Sequence, residues 1–256
     1  MTNYSEALRR IRGEKPLVHC ISNIVTANDC ANLLLAVGAS PMMAQAAEEM
    51  ADIAAISSAA VLNLGTPDGS RHDLCAQRGM LANRCGHPAI LDPVGAGASR
   101  WRLAGTQMVL ASFAPSIVRV NLSEARALLG ESGTERGVDS AASGSDADRA
   151  ACADALARKL RATVLLSGET DFISDGARRA YMEGGSAMTA MITGSGCMLS
   201  ALCGAFAAVE PDAFAAASSA SEFWKACASR AEKDARGRGP GSFRAALIDA
   251  AYALSI

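Results

Sequence analysis

The 256-residue chain is poor in aromatic residues: Phe, Trp and Tyr make up 4% of it, against 50% hydrophobic residues in all. Its core must therefore come from Ala, Leu, Val, Ile and Met. That suits an α/β protein with closely packed helices better than an all-β sandwich. An excess of one charge is also missing. Lys and Arg number 24 and Asp and Glu 26, a net charge of −2, and there is no Lys/Arg run. Nucleic acid is thereby excluded as an expected partner. No stretch reaches the roughly 18 apolar residues of a membrane span, and no apolar signal core follows the polar start with Arg9, Arg10 and Arg12. The eight cysteines contain no C-x-x-C pair, and His19, His72 and His87 lack ligand spacing, so neither a disulfide framework nor a zinc site is expected. Reduced thiols and no membrane segment point to the cytoplasm. The P-loop G-x-x-x-x-G-K-[ST] is absent, as is G-x-G-x-x-G after the first strand; any phosphate chemistry must rest on another scaffold.

What is present is an alternation. Short apolar runs at 16–21, 60–64, 89–91, 117–120 and 162–166 read as strands. Helical patterns fall at 4–13, 26–36, 70–85, 101–112 and 123–130, with Glu48 to Ala60 as a further helix and Gly38 as a C-cap. This predicts a mainly parallel sheet with helices on both faces, in one domain over residues 1–256. Residues 131–149, rich in Gly and Ser, read as a mobile surface loop. Beyond residue 195 the pattern is almost wholly helical.

The richest stretch is Thr193-Gly194-Ser195-Gly196-Cys197. A glycine turn that opens a helix aims unpaired N–H groups and the positive end of the dipole at one point, a ready site for an anion. In open α/β sheets, ligands bind beyond the carboxyl ends of the strands. The unusual polar residues fall there: Asn23, Asn63, Asp92, Arg119, Asn121 with Glu124, and Ser167. Carboxylates, a guanidinium, hydroxyls and an anion turn together suit Mg-nucleotide chemistry. Each has a plainer alternative. Asp92, before Pro93, caps a turn equally well, and Glu124 suits a first helical turn. Met43 defaults to core and His19 to a satisfied core histidine. Cys197 at a helix start could be a nucleophile. Arg119 inside an apolar strand is harder to dismiss, since an unpaired buried guanidinium is costly.

Nearly the whole chain resembles the hydroxyethylthiazole kinases, the thiamine-salvage branch of the ribokinase-like superfamily. The resemblance rests on Pro16-Leu17-Val18-His19 with Asn23, Gly38-Ala39-Ser40-Pro41-Met42-Met43-Ala44, Asn63-Leu64-Gly65-Thr66, Leu91-Asp92-Pro93-Val94-Gly95-Ala96-Gly97-Ala98, Ser167-Gly168-Glu169-Thr170-Asp171, Thr193-Gly194-Ser195-Gly196-Cys197 and Gly239-Pro240-Gly241-Ser242-Phe243, in that order. It implies a three-layer ribokinase-like fold and ATP-dependent phosphorylation of the hydroxyl of 4-methyl-5-(2-hydroxyethyl)thiazole. It also implies Mg2+ at Asp92 and Glu124, ATP contacts at Arg119 and Ser167, and substrate contacts at Met43, Gly194 and Asn23. A homotrimer with the substrate between subunits is implied as well. Cys197 stands where many ribokinase-like kinases carry an Asp base, and is expected to accept or guide the hydroxyl proton. The chain departs from the family pattern at Val120, where Gly is usual, and at Ser22 and Ser167, where Thr is usual; Val120 is expected to narrow the nucleotide side. Two rival classes are another ribokinase-like small-alcohol kinase or dehydratase, and a non-catalytic thiazole or nucleotide sensor. Retention of Asp92, Glu124 and Arg119 together argues for catalysis.

Overall fold

A computed structural model describes residues 4–131 and 144–256. Eight strands, β1 (Leu17–Ile21), β2 (Ser40–Met42), β3 (Ala59–Asn63), β4 (Ala89–Asp92), β5 (Ile117–Val120), β6 (Thr163–Leu166), β7 (Asp171–Ser174) and β8 (Arg179–Met182), form one sheet in the order β2-β1-β3-β4-β5-β6-β7-β8. The strands from β2 through β6 pair in parallel, and β7 and β8 close the edge as an antiparallel hairpin. The expected mainly parallel, helix-covered sheet is therefore what the chain forms.

Ten α-helices among the described residues complete it: α1 (Tyr4–Glu14), α2 (Ala27–Val37), α3 (Met50–Ile56), α4 (Gly69–Cys85), α5 (Arg100–Ser112), α6 (Leu122–Leu129), α7 (Asp146–Leu160), α8 (Ser195–Ala207), α9 (Ala213–Asp234) and α10 (Pro240–Ser255). Two apolar clusters separate the layers. Val18, Val61, Ile90 and Ile117 pack with α2, α8 and α9 on one face; Leu62, Leu91, Val118 and Val120 pack with α4, α6 and α7 on the other. Because strand side chains alternate faces, this parity fixes the next positions. Asn63, Asp92 and Arg119, two residues beyond Val61, Ile90 and Ile117, must turn toward α8. Helix α8 itself is buried along nearly its whole length, which explains why it carries no polar face.

Three expectations change. The helix expected from Glu48 to Ala60 runs only over Met50–Ile56, and Ala59 and Ala60 belong to β3. Both alanines are fully buried, a demand on the sheet that Ala's helix propensity does not override. The loop expected over 131–149 is interrupted by α7 from Asp146, capped by the Ser145 hydroxyl accepting from the Asp148 N–H at 3.2 Å; residues 132–143 lie outside the described residues. Val120, expected to narrow the nucleotide side, is fully buried in the cluster on the sheet face away from α8, opposite to Arg119.

Candidate active site

The site is assembled where β1, β3, β4 and β5 end under the first turn of α8. Asn63 and Asp92 are register partners, and their side chains meet: Asn63 Nδ2 donates to Asp92 Oδ2 at 2.9 Å. Asn63 Nδ2 also reaches Cys197 Sγ at 3.2 Å, and Asn23 Nδ2 reaches the same sulfur at 3.1 Å. Asn63 Oδ1 accepts from Asn23 Nδ2 at 3.2 Å and from the Gly65 N–H at 2.9 Å. Thr26 Oγ1 donates to Asn23 Oδ1 at 3.0 Å, so both ends of the Asn23 amide are held. Ser200, one turn into α8, donates to Asp92 Oδ2 at 2.7 Å.

Arg119 Nη1 lies 3.6 Å from Asp92 Oδ1, and Nη2 donates to Ser167 Oγ at 2.6 Å. Its guanidinium lies flat against the anion turn: a Cβ at Gly196 would overlap it. Burial opposes the charge on Arg119, but Asp92 and Glu124 outweigh that and hold it firmly protonated. Asp92 is fully buried, and burial raises its carboxyl above the usual range despite Arg119. Glu124 is the capping-box residue of α6. Its Oε2 accepts from the Asn121 N–H at 2.8 Å, while Oε1 accepts from the Gly95 N–H at 2.9 Å. The plainer reading of Glu124 as a first-turn residue is thus true as well; the cap is what aims the carboxylate. Burial, reinforced by Asp92 and opposed by Arg119, pushes Glu124 up to about 7.

Gly194 caps α8 at φ 82°, and the first intrahelical bond runs from the Met198 N–H to Gly194 O at 2.9 Å. The N–H groups of Ser195, Gly196 and Cys197 precede that ladder and face the rim. A Cβ on Gly194 would overlap Thr26 Cγ2 in a left-handed conformation already unfavourable to other residues. Gly194→Ala should therefore cut turnover about a hundredfold by displacing the donors, with a modest fall in thermal midpoint; steady-state kinetics and a melt on the same preparation check this. The Cys197 thiol is 8% exposed, and burial, with Asp92 adding, pushes its pKa up. This is the opposite of the activated thiolate that a nucleophile needs. Met43, just past β2, is half-buried and packs against the α8-side cluster.

Seven of the eight expected residues lie at strand ends or on the α8 turn, and Glu124 sits in the first turn of α6; Asn23, Asp92, Arg119, Ser167, Gly194 and Cys197 are linked through contacts named above. Ser200, Thr26 and Asn63's double role escaped the sequence reading. Ser200 carried a signal: it is a hydroxyl three residues past Cys197 in an otherwise apolar helix. Residues 8–256 match the model of the hydroxyethylthiazole kinase family. The chain belongs to that family. A hydroxyethylthiazole kinase from Listeria monocytogenes serotype 4a is 43% identical over 97% of this chain and 92% of its own. The structure of a hydroxyethylthiazole kinase protein from Pyrococcus horikoshii OT3 superposes with a TM-score of 0.89 at 36% identity, over 98% of this chain and 92% of that one. A Bacillus subtilis pyridoxal kinase solved as an ADP complex superposes with a TM-score of 0.64 at 16% identity, over 84% of this chain and 91% of that one, a likeness of fold alone. The family match includes the β7–β8 hairpin and the C-terminal helices as well as the site.

Proposed function

We infer that the protein transfers the γ-phosphoryl group of ATP to the primary hydroxyl of 4-methyl-5-(2-hydroxyethyl)thiazole. The observation that carries this is the convergence of Asp92, Arg119 and the α8 N–H groups at one point in a chain of the hydroxyethylthiazole kinase family. Phosphoryl transfer needs mainly positioning and neutralisation of charge. Arg119, braced by Asp92 and Ser167, brings a planar cation to the phosphates. The N–H groups of residues 195–197 hold the transferring oxygens, and Asn23 and Met43 border the alcohol. A cavity of about 270 Å3 between β8 and α9, lined by Tyr181, Met182, Glu222 and Lys225, opens beside the Ser167 loop, whose Gly168 and Glu169 carbonyls Lys225 grips at 2.8 and 2.6 Å; the nucleoside would lie there.

Mg2+ fits these residues. Asp92 Oδ1 is buried with no hydrogen-bond donor, and no group of three His, Cys, Asp or Glu ligands occurs among the described residues. The orphaned Asp92 oxygen is what supports the fit, since Mg2+ takes one or two carboxylates with water and phosphate oxygens. Asp92 and Glu124 would hold it, and it would supply charge neutralisation at the phosphate oxygens.

Cys197, with a raised pKa and two amide donors on its sulfur, acts as a neutral group that orients the alcohol. Cys197→Ser should slow turnover about tenfold with ATP affinity unchanged; an unchanged rate removes Cys197 from the reaction. The exposed Ile24, Val25 and Met191, at 80%, 62% and 63%, flank the site and suit cover by a neighbouring subunit of a homotrimer. No described helix is long and apolar enough to cross a membrane, and the eight free cysteines suit the cytoplasm. The direct test is ADP release from Mg-ATP with and without hydroxyethylthiazole. Thiazole-dependent release with a phosphorylated product supports the reading; thiazole binding without turnover would make the protein a sensor.

A further inference from the structure

The segment after β2, residues 43–46, has no ladder bonds of its own and is held from α4. His19 points to the α4 side of the sheet and is fully buried. Its Nδ1 faces Arg78 Nε at 2.8 Å, and its Nε2 faces Ala44 O at 2.9 Å. A guanidinium has no acceptor, so Nδ1 accepts, and the proton sits on Nε2, which donates to Ala44 O. Burial lowers the His19 pKa to about 4, which preserves that neutral tautomer. Arg78 Nη2 also donates to Ser57 Oγ at 2.6 Å. Seven residues earlier on α4, about two turns and so on the same face, Arg71 Nη1 donates to Ser22 O at 2.8 Å and Nη2 to Gln45 Oε1 at 3.1 Å. Gln45 Nε2 reaches the same Ser22 carbonyl at 3.5 Å.

Neither arginine has a carboxylate partner among the ion pairs of the described residues. Arg78 is fully buried with Nη1 unbonded, and Arg71 Nε is buried and unbonded too. A buried cation without a counter-charge works against stability, and an aliphatic side chain would pack that face of α4 at less cost. What the two forks supply is geometry. Their targets, Ser22, Ala44 by way of His19, and Gln45, immediately flank Asn23 and Met43.

We propose that Arg71 and Arg78 are positioning residues that set the alcohol side of the site, by fixing residues 43–45 against the end of β1 from one face of α4. The proposal rests on the functional reading above, in which Asn23 and Met43 border the thiazole. A lysine cannot replace either arginine, because an ammonium lacks the planar fork that spans two acceptors.

The test uses Arg71→Ala and Arg71→Lys, since Arg71 sits at the half-buried end of the clamp and its removal spares the core. Steady-state kinetics are measured for the thiazole and for ATP. Amide exchange by mass spectrometry compares peptides covering 42–50 and 117–129. In Arg71→Ala the KM for the thiazole should rise about tenfold, the KM for ATP should stay within about twofold, and exchange should quicken in 42–50 only. Arg71→Lys should fall between. Equal changes in both KM values, an unchanged thiazole KM, or unchanged exchange in 42–50 overturns the proposal. If the wild-type protein phosphorylates no thiazole, the functional reading fails, and the exchange comparison alone decides whether the clamp exists.

Discussion

Arg119→Ala should lower kcat about a thousandfold, the scale expected if its guanidinium faces the transferring phosphoryl group as proposed above. The expectation rests on where the guanidinium lies. It is braced by Asp92 and Ser167 and pressed against Gly196, so it meets the anion turn with no freedom to swing away. Unfolding does not account for the loss. Without Arg119, Asp92 keeps its donors Asn63 and Ser200, and its carboxyl, already raised by burial, takes up a proton rather than standing as a bare buried charge. Arg119→Lys reaches one brace and not both, and should retain an intermediate rate. Single-turnover rates and thermal midpoints on the three proteins separate these effects; near-normal transfer by the alanine variant would remove Arg119 from the reaction.

Glu124→Gln should lower turnover at least about a hundredfold and at the same time change how stability depends on pH. The folded carboxyl is raised from 4.5 to about 7 by burial, so the folded protein binds this proton more tightly than the unfolded chain does. The stability from that proton is complete below pH 4.5 and is lost as pH rises through 7. Glutamine carries no such proton and still completes the capping box with Asn121. The nucleotide-free wild type should therefore lose midpoint relative to the variant between pH 4.5 and 8, and added Mg2+ should recover it at pH 8 in the wild type alone. Parallel midpoints across that range would mean that Glu124 does not titrate as its surroundings dictate.

The elements that were legible in the sequence are those whose local pattern and burial agree. The apolar runs at 60–64, 89–91 and 117–120 are strands to within a residue, and the glycine turn at 194–196 opens a helix. Strand parity was less visible. Arg119 was readable as an anomaly, but that it shares a face with Asn63 and Asp92 follows from Ile117, Ile90 and Val61 packing on the α8 side. The same parity turns Val120 away from the site. Ala59 read as helix, and Ala60 as both the end of that helix and the start of a strand; the sheet's demand for small, fully buried residues places both in β3. Nothing in the helical pattern of residues 70–85 marks out Arg71 and Arg78. Their partners come from 21 to 59 residues away, a proximity that no local pattern encodes.

Helix α8 comes late in the chain, yet it covers the polar ends of strands β1, β3, β4 and β5 and the apolar residues behind them. During synthesis at 5–20 residues per second, a delay on the order of ten seconds separates Val120 from Gly196. Through that interval the face bearing Val18, Val61, Ile90 and Ile117 has no cover from α8. A nascent chain can lay down much of the sheet but cannot own an active site, and a ribosome stalled before residue 195 would display a sticky, inert half-product. Completion of the strand-end site and cover for the apolar face behind it both wait on α8.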